Sequence, residues 1–234
     1  MLFCAATGNA GKLAELRRIL IAQGHEVKSQ KELGITIDPD ETGTTFAENA
    51  LIKAETICKA SGLPTIADDS GLCVDALNGA PGVYSARYCG HHGDDEANND
   101  KLLAEMAAVP AGQRAGKFVS AVCLVLPQGR HLTCMGECPG TIAFERLPGD
   151  YGFGYDPLFV PDECGLPGGG KRPNAEGRSY SQLTPAEKDA ISHRGRAMEA
   201  LQARLADFLA EGAAFDSGNG TVEIGLTGCM PLSE

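Results

Sequence analysis

Two adjacent carboxylates, Asp68 and Asp69, followed by Ser70 and Gly71, end a short apolar run over residues 63–67. Such a run reads as a buried strand delivering acidic groups to its C-terminal edge, where open α/β sheets place their ligands. Neighbouring carboxylates repel, so the pair is costly unless a cation or a proton relieves it. Mg²⁺ suits that role, as a hard ion that takes one or two carboxylates together with substrate phosphate oxygens. The same residues also suit a plain strand end entering a polar turn, because Asp-Ser-Gly is common loop chemistry.

A second stretch with chemical potential lies at the start of the chain. An apolar run over residues 2–6 leads into Thr7-Gly8-Asn9-Ala10-Gly11-Lys12, and Leu13, Leu16 and Leu20 follow at helical spacing. This is strand, glycine loop and helix, a junction that aims backbone N–H groups and a helix N-terminus at whatever occupies the loop, and phosphate fits there. It is not a Walker loop. Too few residues separate its glycines, and Leu13 stands where a Ser or Thr would follow the lysine.

The elements that must position these groups can be read from their punctuation. Residues 26–30 form a candidate strand, and residues 36–43 a loop carrying Asp38, Asp40 and Glu41. Thr45-Phe46-Ala47-Glu48 has the form of a capping box, opening a helix that runs to about residue 60 and stops at Gly62. Asn49 and Lys53 share one face of that helix, which leads directly into the Asp68-Asp69 strand and so brings Lys53 near the carboxylates. His91, His92 and Asp94 read as exposed polar loop residues, followed by a helical stretch to about residue 108 that Pro110 ends. Residues 118–126 and 131–137 flank Pro127-Gln128-Gly129-Arg130 as a β-hairpin, and strand character resumes over residues 141–146. Phe153-Gly154-Tyr155-Asp156-Pro157 places aromatics beside a glycine, a combination that can stack on a base or simply pack a core. Residues 164–181 are rich in Gly, Pro, Lys and Arg and read as a mobile loop. Thr184-Pro185-Ala186-Glu187 is a second capping box with Pro at the first helical position. Lys188, His193 and Arg194 then precede a long amphipathic helix with Ala197, Leu201, Leu205 and Phe208 on one face. Cations at a helix start oppose the macrodipole, which suggests that they are placed for a partner.

Composition bounds the remaining possibilities. Asp and Glu total 31 against 20 Lys and Arg, a field that repels a nucleic-acid backbone and disfavours nucleic acid as a partner. The nine cysteines sit mostly in apolar runs without a paired CxxC motif, as expected of reduced core thiols in a cytoplasmic protein. No span approaches the ~18 apolar residues needed to cross a bilayer, and no basic, export-type leader opens the chain, so a soluble protein without membrane association is expected. Residues 1–210 are expected to form one α/β domain with two lobes, and residues 211–234 a loosely held extension.

Four motifs taken in order, Thr7 to Lys12, the block over residues 67–88, Phe153 to Pro157, and Ser192-His193-Arg194, resemble one family. The chain is similar over residues 2–209 to the inosine/xanthosine triphosphate pyrophosphatases, enzymes that remove deaminated purine nucleotides. The segment 164–181 is longer than the usual family connection, and the C-terminal tail is extra. The resemblance implies an α/β fold with a long mixed central sheet, flanking helices, two lobes around a substrate cleft, and a homodimer. It implies that Thr7, Gly8, Asn9, Ala10, Gly11, Lys12 and Lys53 hold a triphosphate. Asp69 would be the catalytic carboxylate, with Asp68 beside it and Glu41 as a further Mg²⁺ ligand, and Ser70 would bond substrate. Phe153 would stack on the base, Gly154, Tyr155 and Asp156 would shape its pocket, and Lys188, His193 and Arg194 would read the purine edge. The implied reaction is Mg²⁺-dependent hydrolysis of ITP, dITP or XTP to the monophosphate and pyrophosphate. A phosphatase releasing orthophosphate and a non-catalytic nucleotide-binding module are the alternatives.

Overall fold

The computed structural model describes residues 1–22, 24–166 and 170–215. Strand β1 (Leu2–Ala5) runs into helix α1 (Ala10–Ala22), which returns the chain to β2 (Glu26–Ser29), parallel to β1. Helix α2 (Phe46–Ser61) begins at the expected capping box: the Thr45 side chain accepts from the Glu48 N–H while the Glu48 carboxylate accepts from the Thr45 N–H. It ends at Gly62, whose φ of 67° lies in the left-handed region that glycine adopts without strain. The chain then enters β3 (Thr65–Val74), parallel to β1 but on the side opposite β2.

Helix α3 (Asp95–Glu105), capped by the Asp94 side chain, leads to the antiparallel strands β4 (Ala115–Val125), β5 (His131–Ile142) and β6 (Phe159–Pro161). The resulting sheet has the order β2-β1-β3-β4-β5-β6, a mixed α/β sheet with flanking helices. A separate hairpin, β7 (Glu163–Gly165) with β8 (Lys171–Pro173), precedes the short helix α4 (Pro185–Asp189) and the long helix α5 (His193–Phe215). The Thr184 capping box and Pro185 open α4 as its sequence requires.

Strand alternation sorts the core into layers. Phe3, Ala5, Ile66, Val122 and Leu124 face α1 and α5, where Leu16, Leu20, Ala197, Leu201 and Phe208 meet them. Cys4, Ala6, Ala67, Ala121 and Cys123 face the other way, onto Phe46, Ala50, Ala54 and Ile57 of α2. A further cluster, with Leu72, Leu102, Phe118, Ile142, Phe159 and Tyr180, fills the region around α3 and β6.

Several expectations are corrected. The strand carrying Asp68 and Asp69 does not end there: β3 continues to Val74 and pairs with β4 over its whole length, from Thr65↔Val125 to Val74↔Gly116. Residues 141–146 are not a separate strand, because β5 runs unbroken to Ile142 and the next strand is β6. Within 164–181 the described residues form the β7–β8 hairpin and an ordered turn in which Asn174 donates to the carbonyls of Pro161 and Arg178. Helix α3 ends at Glu105, before the expected residue 108. Helix α5 continues to Phe215, into the segment read as an extension, and residues 216–234 lie outside the described residues. The eight cysteines among the described residues are free thiols. No helix among the described residues is long and apolar enough to cross a membrane.

Candidate active site

The crossovers through α1 and α2 leave β1 on opposite sides, so the C-terminal end of β1 is a topological switch point. There β1 pairs with β3 only at Cys4↔Thr65 and Ala5↔Ile66. Beyond Ala67 the β1 side of β3 borders a cleft of about 710 Å³. Of the residues singled out in the sequence, Thr7, Gly8, Asn9, Lys12, Glu41, Lys53, Asp68, Asp69 and Ser70 line this cleft. So do Phe153, Gly154, Tyr155, Asp156, Lys188, His193 and Arg194. Ala10 and Gly11 stand behind it in the first turn of α1. Gly11 has a definite task there, since a Cβ at this position would lie 2.5 Å from Cδ1 of Phe153.

The loop before α1 is built by its own side chains. Thr7 Oγ1 accepts from the Asn9 N–H at 3.1 Å, and Asn9 Oδ1 accepts from the Lys12 N–H at 3.0 Å, capping the helix. Lys12 keeps 17% of its side chain exposed, toward the cleft, and its ammonium lies 3.5 Å from Asp68. Burial pushes the Lys12 ammonium below its ordinary range; nearby Asp68 opposes this, while Lys53 and Arg194 add to it.

Asp68 and Asp69 both line the cleft but take different protein partners, because successive side chains on a strand point to opposite faces. Asp69 faces α2, where the Lys53 ammonium lies 3.0 Å from Oδ1 and Asn49 Nδ2 donates to Oδ2 at 3.3 Å. Asp68 faces α1 and α5, where its Oδ2 accepts from Arg194 Nε at 3.0 Å, from Arg194 Nη2 at 2.8 Å and from the Ser120 hydroxyl at 3.3 Å. Burial raises the Asp68 carboxyl, but Arg194, Lys12 and Lys53 together overcome it and hold the group ionised far below the carboxylate range.

Lys53 also lies 3.3 Å from Glu41 Oε1, so its ammonium bridges Glu41 and Asp69. A cation thus already sits between two oxygen donors in the cleft, and this donor set fits a hard divalent ion. Among the described residues no three His, Cys, Asp or Glu side chains converge as a ready metal cluster. A metal held here by one or two carboxylates would complete its shell with water and phosphate oxygens, as Mg²⁺ does. Asp68 is the weaker ligand of the three acids, with Oδ2 committed to Arg194; its Oδ1 is buried without a hydrogen-bond donor.

The Lys188 ammonium lies 2.7 Å from Asp156 Oδ2 and 3.0 Å from Glu15 Oε1, with the Phe153 ring 4.9 Å away. Arg194 pairs with Glu15 as well as Asp68, and Nη2 donates to Ser70 Oγ at 3.0 Å. The cations that oppose the macrodipole are therefore first answered by carboxylates of the protein itself. His193 stacks on Phe118 at 4.8 Å and 14°. Burial and the Arg194 charge keep His193 neutral, well below the ordinary imidazole range, and its Nδ1 is buried without a partner.

Glu15 is the residue that sequence reading missed. It is 4% exposed and joins Lys188 to Arg194, with burial raising its carboxyl but Arg194 and Lys188 bringing it down to about 2. The signal available was an acid on the face of α1 that carries Lys12 and Ile19, positions otherwise turned to the interior. His92, set aside as an exposed loop residue, is exposed and also reaches the cleft rim.

The Ham1 family model matches residues 3–204. The chain is 53% identical over 206 residues to a dITP/XTP pyrophosphatase of Nocardia farcinica, covering 86% of this chain and 93% of that protein. It is 48% identical over 204 residues to a dITP/XTP pyrophosphatase of Haemophilus influenzae, covering 86% and 96% respectively. A solved HAM1 protein from Coxiella burnetii superposes with a TM-score of 0.73 at 38% identity, covering 88% of this chain and 99% of that one. With the family match spanning the cleft residues from the glycine loop and the β3 carboxylates to Lys188, His193 and Arg194, this chain belongs to the Ham1 family.

Proposed function

We propose that this chain hydrolyses non-canonical purine nucleoside triphosphates, ITP, dITP and XTP, to the monophosphate and pyrophosphate with Mg²⁺ as cofactor. One observation carries the reading: a single cleft is lined by the glycine loop, Lys12, Lys53 and Asp69 together with Phe153, Lys188 and His193. Cations and a carboxylate for phosphates thus share one cleft with an aromatic face and donors for a base. The curated relatives named above are dITP/XTP pyrophosphatases and support the same activity.

Phosphoryl transfer needs positioning and charge neutralisation more than covalent chemistry. The α1 N-terminus with Lys12 binds the phosphates, and Lys53, released from its carboxylates, follows the developing charge. Asp69, positioned by Asn49 and beside Lys53, orients and deprotonates the attacking water. Glu41 and Asp69 would hold Mg²⁺, which when bound polarises the phosphate oxygens.

At the base end Phe153 supplies a stacking face, with Gly154, Tyr155 and Asp156 setting its rim. Arg194 and Lys188 each retain a donor beyond those their carboxylates take, and His193 Nδ1 is unpartnered. A 6-keto oxygen accepts from such donors, whereas an adenine 6-amino group would face them as a further donor, a mismatch that a polar site rejects strongly. By family resemblance the enzyme acts in the cytoplasm as a homodimer.

The test is product analysis with ITP, XTP, dITP, GTP, ATP and UTP, with and without Mg²⁺. Pyrophosphate from the first three, dependent on Mg²⁺, is the expected result. Orthophosphate release would replace this reading with a phosphatase, and binding without turnover would replace it with a nucleotide-binding module.

A further inference from the structure

The peptide between Phe153 and Tyr155 is held by groups far away in the chain. The Gly154 N–H donates to Asp95 Oδ2 at 2.8 Å, and the Gly154 carbonyl accepts from Asn99 Nδ2 at 3.0 Å. Asp95 and Asn99 lie four apart on α3 and so share one face of that helix. Both backbone polar groups of a single residue are therefore taken by one helix.

Gly154 adopts a φ of +60°, in the left-handed region, with unobstructed space where a Cβ would lie. A glycine in that conformation is free to rotate the peptides on either side of it unless something external holds them. Its neighbours are fixed separately. Asp156 Oδ2 accepts from the Phe153 N–H at 2.9 Å, and the Tyr155 hydroxyl donates to the Ser85 carbonyl at 2.9 Å. Helix α3 is itself anchored, with Arg146 donating to the Glu96 carbonyl at 3.1 Å and to Asp100 at 2.8 Å. The Phe153 ring lies against Gly11 of the phosphate loop, so the angle of this aromatic also sets its distance from where the triphosphate starts.

We propose that Asp95 and Asn99 are positioning residues for the base: by gripping both backbone groups of Gly154 they fix the orientation of Phe153 in the cleft. The inference rests on the reading of Phe153 as the stacking face. Asp95 lines the cleft rim and holds the Gly154 N–H there, whereas Asn99 stands outside the lining and acts through the Gly154 carbonyl. It is exposed, and the helix cap belongs to its neighbour Asp94, so α3 survives its truncation.

The experiment compares Asp95→Ala, Asp95→Asn and Phe153→Ala in steady-state hydrolysis of ITP, alongside inhibition by inorganic tripolyphosphate, a probe that has the phosphates but no base. Asp95→Ala is expected to raise KM for ITP about tenfold, the loss of one charge-assisted hydrogen bond, with kcat changed less than about twofold. Its tripolyphosphate inhibition constant is expected to match the parent, and Asp95→Asn, which keeps an acceptor oxygen, to recover most of the lost affinity. An unchanged KM in Asp95→Ala beside a raised KM in Phe153→Ala overturns the clamp and leaves the stacking reading intact. An unchanged KM in Phe153→Ala overturns the stacking reading itself. Equal weakening of ITP and tripolyphosphate in Asp95→Ala also overturns the proposal, since it reports a loosened cleft and not a misplaced base.

Discussion

Replacing Glu15 by Gln preserves shape and removes one negative charge from between two buried cations. The carboxyl is held at about 2 against an ordinary 4.5. At pH 7 that depression contributes about 3 kcal/mol to stability. The figure agrees with the roughly 3–5 kcal/mol lost when one partner of a buried ion pair is removed. Because the folded value is depressed, the contribution is fully present above about pH 4.5 and disappears as pH falls through about 2. Chemical denaturation of parent and Glu15→Gln protein at pH 7 and at pH 3 measures this directly. The expected gap is about 3 kcal/mol at pH 7, a melting temperature lower by roughly 6–12 °C in a chain of this size, and a smaller gap at pH 3. A gap below about 1 kcal/mol at pH 7, or one that does not shrink on acidification, would refute the account of Glu15 as the anchor of Lys188 and Arg194.

Asp69→Asn removes the proposed base and one bond to Lys53 while keeping the side-chain shape. Turnover of ITP is expected to fall roughly 10²–10⁴-fold with binding still measurable by calorimetry, and full activity would end the assignment. Gly136→Ala tests how α5 is seated on the sheet, because a Cβ there would lie 2.1 Å from the His193 carbonyl oxygen and 2.4 Å from the Ala197 nitrogen. Backbone cannot step aside as a side-chain tip can, so a loss of about 3 kcal/mol or more is expected in denaturant unfolding, together with weaker discrimination between ITP and ATP as His193 shifts.

Features governed by neighbours in the chain were legible in the sequence. The Thr45 and Thr184 boxes cap their helices, Gly62 ends α2, and the run before Thr7 is a strand feeding a loop and a helix, because capping and turn chemistry act over three or four residues. The resemblance of four motifs to one family named many of the residues that line the cleft, while type and spacing alone pointed only to the glycine loop, the Asp68-Asp69 pair and Lys53. Their mutual arrangement was decided only by the tertiary structure. Adjacency in sequence suggested that Asp68 and Asp69 repel one another unless a cation or proton relieves them; the pleat of β3 gives each its own protein cation, Lys53 for Asp69 and Arg194 for Asp68. Arg194 meets Glu15 across 179 positions and Asp68 across 126, separations at which no local pattern operates. Glu15 looked like an ordinary helix acid until burial removed water from around it and made the two cations its solvent.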